Sequence, residues 1–452
     1  MRTSVVESPG TVRPMLRLAL PALAEQLLAA MVMLVDVWLA GHYLKGAPEL
    51  AAIGLMAYAV WFLTAMFDFV ALGATAMTAR FVGAANYRRA CHVTNQAILT
   101  GTAMAVAAVI VVYLTTRPYV AVMQLDGEAA DLAIRYILIL VPVLPAIMLQ
   151  RVGIACLRGA GDMVTVFWLM AIVNVVNVVV SSMLVIGIGP APKLGWDGLA
   201  IGTASAQLTG GLLMLALLVR GHRGLRLRLR WLKPNVNVIV RLLRVGIPGG
   251  IDTILLVFCH MWYLSIINQI GDDAAAAHNV AVRLESLAFL PGGAFSLAAM
   301  TLAGQFLGAG DQHRAGRSVL MATFAGCGIM LIPTLAFVTA GLPLVSIFLD
   351  ASQMDIAAVA AKLLMISAIS MMPLGLVMIL SGAMRGAGDT RWPMIISLVG
   401  MLLIRIPVSY LFIRYFEWGV AGAWYAAAID LSLRCLMVIF RFRHGGWKHV
   451  KV

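Results

Sequence analysis

The chain has 452 residues, of which 62% are hydrophobic and only 12% charged, with a mean hydropathy of +0.95 and a formal net charge of +13. An ordinary soluble domain carries about twice that share of charge, so the composition excludes a water-exposed globular protein and points to burial in hydrocarbon, where a spanning helix needs about 20 apolar residues. Five cysteines (Cys91, Cys156, Cys259, Cys327 and Cys435) lie in apolar stretches without CxxC pairing, which excludes a disulfide framework and a zinc site and leaves them as small core hydrophobes.

Residues 1–14 carry Arg2, Glu7, Pro9, Arg13 and Pro14, and the apolar run after them is too long for the h-region of a signal peptide, so the first span is expected to persist in the mature chain. Apolar runs then follow at about 15–40, 51–78, 91–116, 132–157, 164–188, 197–219, 237–270, 277–306, 317–343, 356–384, 392–413 and 419–440. They predict an all-α membrane protein of twelve transmembrane helices. Pro142, Pro145, Pro291, Pro373 and Pro407 are expected to bend their spans, as hinges or as static kinks. The 27 methionines suit lipid-facing filler or an adaptable binding surface.

Lys and Arg alternate along the connecting segments: 21 fall in one set, against five (Lys45, Arg117, Lys193, Lys362 and Arg414) in the other. By the positive-inside rule both termini face the cytoplasm, which makes this a multi-pass protein of the inner membrane. The basic run at 220–233 could bind nucleic acid in isolation. Between two spans it reads as a linker against anionic headgroups, so the expected partner is the lipid bilayer and no nucleic acid.

The two halves answer each other. LALPALAEQ (18–26) matches RVGIPGGID (244–252), and LRGAGD (157–162) matches MRGAGD (384–389), both 227 residues on; RFVGAAN (80–86) matches QFLGAGD (305–311), and GWDGLAIGTA (195–204) matches EWGVAGAWYA (417–426). Six spans per repeat is an even number, so the repeats share one orientation, and a substrate site is expected between them near the midplane. The halves are taken as residues 1–220 and 237–452, joined by the linker 221–236. Asp252 and Met261 are expected at the substrate cleft.

Carboxylates inside a membrane each cost about 2.5–3.5 kcal/mol on insertion scales and need a reason. Asp36 lies late in the first span, and Glu25, eleven residues earlier, falls within about 20° of it around the helix axis at 100° per residue. Asp36 is either a coupling-ion site, with Asn174 and Asn177 of the fifth span as neutral oxygen donors, or an acid reaching the outer interface. Glu25 and its repeat counterpart Asp252 are further coupling or interfacial candidates. Glu285 in the eighth span, with His278 seven residues earlier on the same face and about 10 Å away at 1.5 Å per residue, suits proton entry; otherwise it neutralises Arg283 or Arg405. Asp68, flanked by Phe67 and Phe69, faces a cleft or an Arg. Arg405 reads as a counter-ion, and Asp430 and Arg434 as an i,i+4 pair. Arg158 and Arg385 are expected to pair locally with Asp162 and Asp389.

LVDVWLAG (34–41), the block HNVAVRLESLAFLPGGAFSLAAMTLAGQFLGAGD (278–311), both RGAGD loops and Asn174/Asn177 resemble the multidrug and toxic compound extrusion (MATE) family of secondary transporters. The resemblance implies two homologous six-helix bundles forming a V-shaped cleft. It also implies alternating access, with H⁺ or Na⁺ entry driving export of cationic or amphipathic small molecules by a monomer. Three departures leave the ion open between H⁺ and Na⁺, the latter at Asp36. The tenth span has no acid, the seventh has only Asp252, and Ser181 stands where one branch of the family has an Asp. A flippase for a lipid-linked precursor is the alternative within transport. The RGAGD loops lack the lysine–serine pair of a P-loop, and no loop holds a catalytic cluster, so neither ATP use nor an enzyme is expected; the coupling ion takes the place of any cofactor.

Overall fold

The computed structural model describes Val6 and residues 10–44, 47–122, 127–187, 192–349 and 353–450. Among these residues the chain is helical throughout, without strands. Eleven helices are long and apolar enough to span a bilayer, and a bent pair makes a twelfth. In chain order the spans are α1 (Val12–Leu44), α2 (Ala47–Met66 continued by Asp68–Gly83), α3 (Tyr87–Ala121), α4 (Gly127–Gly159), α5 (Met163–Ile186) and α6 (Trp196–Arg220). The second set is α7 (Val236–Asn268), α8 (Asp272–Gly308), α9 (Gln312–Thr339), α10 (Met354–Gly386), α11 (Arg391–Tyr415) and α12 (Gly419–His444). Most helices outrun the apolar stretches that announce them, because polar end residues continue the backbone hydrogen bonding past the hydrocarbon.

The expected proline bends are realised unevenly. In α4, Pro142 and Pro145 bracket a 3-10 turn, Val141–Val143. In α8 the helical run is interrupted at Phe289, ahead of Pro291. Helix α10 runs through Pro373 without a break, since the prolyl ring costs one hydrogen bond that packing can offset. Around Pro407, α11 widens into π-helical turns at Val399–Arg405 and Leu411–Tyr415. One sharp bend has no proline: α2, expected as one unbroken helix, turns by 45° between Met66 and Asp68. There Thr64 Oγ1 donates to Trp61 O and Phe67 N to Thr64 O, and Asp68 opens the second segment, where a helix N-terminus favours a carboxylate.

The chain divides into two compact units, Ala24–Gly250 and Met1–Leu23 with Ile251–Val452. These differ from the sequence halves 1–220 and 237–452: each boundary falls inside a helix, just beyond Pro21 of α1 and Pro248 of α7. In the first unit the start of α7 lies against α2 through glycines. A Cβ at Gly246 would overlap the carbonyl of Phe69, one at Gly250 the Phe69 ring, and one at Gly73 the carbonyl of Leu242. The GxxxG spacing of Gly246 and Gly250 thus brings two backbones into contact, as small residues do in membranes.

The basic linker belongs to the same unit and is docked on it. Asn95 Nδ2 donates to Arg226 O (2.8 Å), and Gln96 Nε2 donates to Trp231 O (2.7 Å) and Lys233 O (2.9 Å). Asn95 and Gln96 are fully buried near the start of α3, and pairing both amides with linker carbonyls removes the cost of burying them unbonded.

Candidate functional site

Each unit holds buried polar groups at membrane depth. In the unit Ala24–Gly250 the hub is Thr203 on α6. Its hydroxyl donates to Asp36 Oδ2 of α1 (3.4 Å) and accepts from Asn177 Nδ2 of α5 (3.3 Å) and from Tyr136 OH of α4 (3.3 Å). One donor and two acceptor positions exhaust a threonine hydroxyl. Asp36 Oδ1, Asn177 Oδ1 and Ser181 Oγ are among the buried oxygens of these helices that have no hydrogen-bond partner among the described residues. Neighbouring Gly202 makes the geometry possible, since a Cβ there would collide with Ser181 and hold α6 away from α5.

Asp36 and Asn177 therefore meet at Thr203, which also holds Tyr136; the sequence singled out neither of these two. Thr203 lies within the repeated segment 195–204, which marked the helix without marking the hydroxyl. Tyr136 carries no local signal. Asn174 is buried one turn away, and its amide donates to Met170 O of its own helix (2.8 Å). Asp68 is half-buried at the head of the second segment of α2.

In the other unit α8, α10, α11 and α12 converge. Glu285 Oε1 accepts from Ser367 Oγ of α10 (2.6 Å), so its partner is a hydroxyl. Arg405, the base that could have neutralised it, gives Nε to Asp430 Oδ2 (2.9 Å) and lies 5.7 Å from the Tyr263 ring centroid. Arg434 Nη2 binds the same Asp430 oxygen at 2.6 Å, which makes the expected i,i+4 pair the core of a triad. The π-helical turn holding Arg405 also contains Gly400, where a Cβ would strike Asp430 and Arg434. His278 has aromatic partners: its Nδ1 accepts from Trp424 Nε1 (3.2 Å) and its ring meets Tyr263 edge-on. Met261 is half-buried on α7.

The duplicated loops carry a correction. Arg158 and Arg385 were expected beside Asp162 and Asp389, but they reach across to other helices. Arg158 Nη2 binds Glu25 Oε1 of α1 (2.5 Å), and Arg385 binds Asp252 of α7, both pairs obeying the offset of 227. Asp162 instead caps α5, accepting from the backbone and hydroxyl of Thr165, and binds His222 (2.6 Å) and Arg223 (3.2 Å); Asp389 binds Arg441 (2.6 Å). An N-cap aspartate faces its own helix, which leaves the preceding arginine free to cross. Burial works against ionisation of Asp162, but the hydrogen bonds from Thr165 and His222 and the charge of Arg223 outweigh it and hold the carboxyl below its ordinary range.

Glu25 and Asp252 are thus neutralised by arginines. Replacing Arg158 by Gln should cost about 2–3 kcal/mol by stranding a buried carboxylate, and adding Glu25→Gln should recover most of it. Thermal melts of both single variants and the double variant measure this; additive losses would show that the pair does not hold α1 to α4.

Among the described residues no group of three or more His, Cys, Asp or Glu could hold a metal ion. Apolar spans carrying buried, hydrogen-bonded charges define a multi-pass membrane protein. A MatE family model matches residues 21–183 and again 248–411, and the chain belongs to this family, MATE, whose members are transporters. The probable multidrug resistance protein NorM of Thermotoga maritima is 28% identical over 98% of this chain and 94% of its own, and the probable multidrug resistance protein YoeA of Bacillus subtilis 25% over 100% and 97%. Among solved structures, an outward-facing multidrug resistance MATE family transporter of the MOP superfamily superposes with a TM-score of 0.92 at 20% identity, covering 99% of this chain and 98% of its own. A MOP superfamily transporter from Pyrococcus furiosus gives 0.90 at 20% identity with the same coverage. These likenesses show the fold.

Proposed function

We propose that this protein is an antiporter of the inner membrane that exports cationic or amphipathic small molecules in exchange for H⁺ or Na⁺, by alternating access, as a monomer with both termini in the cytoplasm. The names of the NorM and YoeA relatives support multidrug export. The observation that carries ion coupling is Asp36: a carboxylate inside a spanning helix, one oxygen held by a neutral hydroxyl and the other without a hydrogen-bond partner among the described residues.

Such a group has a reason to persist if it binds and releases a cation in each cycle. Asp36 is the carrier, with Asn177 Oδ1 and Ser181 Oγ supplying hard neutral oxygens that serve a proton relay or Na⁺, and Thr203 holding Asp36 in place. Asn174 lies one turn from this set as a reserve donor. Glu285, bound to Ser367, is a second exchangeable carboxylate, and His278 lies on its helix. Glu25 and Asp252, locked to arginines, serve the attachment of α1 and α7, so the coupling role is assigned to Asp36 and Glu285. Asp68 and Met261 are lesser candidates for contact with the ion or the substrate.

The test is efflux of a fluorescent cation from proteoliposomes under an imposed proton gradient or an imposed Na⁺ gradient. Efflux that follows one gradient and collapses with it supports the reading and identifies the ion. Equal efflux with neither gradient overturns it.

A further inference from the structure

One surface feature of the second unit belongs to no part of the transport reading. A groove of about 810 Å³ runs between α9, α10 and the end of α12. Its walls are apolar, with Leu320, Phe324, Leu376, Leu380, Ile439 and Phe442, and Phe324 is 78% exposed. Its rim is basic, with His313, Arg317, Arg443 and Lys448, and no acid among the described residues lines it. Two acids at these helix ends are engaged with other partners: Asp311 caps α9 by accepting from Arg314 N, and Asp389 binds Arg441.

The rim is held in place. Trp447 is fully buried, its ring stacked on Phe442 at 5.1 Å and its Nε1 donating to Phe442 O (3.0 Å). That anchor sets Lys448 over Gly316, where a Cβ would lie 3.5 Å from Nζ. A second hollow shares His313 and Arg317 and adds Arg13 and Arg314, so the positive rim continues past the groove. The first turns of α9 and the last turn of α12 lie at the same membrane face, the one richest in Lys and Arg.

We propose that this groove binds one anionic diacyl phospholipid, with its phosphate against Arg317, Arg443 and Lys448 and an acyl chain along Leu320, Phe324 and Leu376. A positive rim above an apolar trough of this volume matches a charged head on a hydrocarbon tail. A zwitterionic lipid offers the same tail without net charge, so selectivity arises at the rim. The site is independent of the coupling ion.

Native mass spectrometry of the full-length protein in non-ionic detergent tests this, with dioleoyl phosphatidylglycerol or dioleoyl phosphatidylcholine added. The wild type should retain one phosphatidylglycerol at least about tenfold more tightly than phosphatidylcholine, since each basic group near an anionic headgroup contributes roughly fivefold. The triple variant Arg317→Ala, Arg443→Ala, Lys448→Ala should lose that preference, and Leu376→Trp should weaken both lipids by filling the trough. Arg317→Lys should keep the preference, and so should a charge-matched triple, Arg88→Ala, Arg89→Ala, Arg230→Ala. The proposal is overturned if the rim triple stays selective, if the charge-matched triple loses as much, or if millimolar inorganic phosphate displaces the lipid. The last result would mark a free-anion site.

Discussion

Asp36→Asn should leave the protein folded and at least as stable as the wild type while gradient-driven efflux falls by roughly 100-fold, the lower end of what a positioned proton-transfer group contributes. The substitution keeps the side chain's shape and its contact with Thr203, and it removes a charge whose Oδ1 has no partner among the described residues. Taking such a charge out of a buried site relieves a desolvation cost. Transport and stability should therefore move in opposite directions, which a purely structural carboxylate would not do. Efflux from proteoliposomes, measured beside a thermal melt in detergent, decides it. Normal coupled efflux, or a marked fall in melting temperature, would remove Asp36 from the mechanism. Thr203→Val should lower efflux less than Asp36→Asn and, in contrast to it, should also lower the melting temperature, because it takes the hydroxyl from Asp36, Asn177 and Tyr136 together and strands buried polar groups.

The largest loss of stability is expected at Asp430. This fully buried carboxylate is the shared partner of Arg405 and Arg434, themselves 8% and 5% exposed. Asp430→Asn leaves two guanidiniums facing each other without a counter-charge, and breaking a buried pair in this way costs about 3–5 kcal/mol. Arg434→Met leaves the Arg405–Asp430 pair intact and should cost distinctly less. Melting curves and the yield of folded protein for the two variants give the comparison. An Asp430→Asn protein that melts with the wild type would show that the arginines find other partners. The triad also bears on Glu285: with Arg405 bound to Asp430, Glu285 is left to Ser367, and the same variant should change the ion dependence of efflux by freeing Arg405.

What could be read from the chain follows the range of the forces involved. Lipid demands uninterrupted apolar runs, and a run is a local property of sequence, so the spans stand where the hydropathy puts them, short by a few polar residues at their ends. Asp430 and Arg434 lie four residues apart on one helix, and helical geometry alone makes them neighbours. Duplication left Pro21 and Pro248, and Arg158 and Arg385, at one offset, and the family match at 21–183 and 248–411 repeats that spacing.

The partners of the buried charges were of another kind. Arg158 reaches Glu25 across 133 positions of sequence, and Asp36 meets Thr203 across 167. No spacing rule links them, because only helix packing sets which faces meet. The loop aspartates illustrate this. Asp162 and Asp389 stood closest in sequence to the duplicated arginines, yet capping and His222, Arg223 and Arg441 claimed them. The sequence by itself determined the spans, the repeat and the set of charges that hydrocarbon must tolerate, since each depends on composition or on one helix. Only the tertiary structure decided which charges neutralise one another, where α2 breaks, and which carboxylate oxygens have no partner among the described residues, since a hydrogen bond depends on distances that close only when separate helices pack.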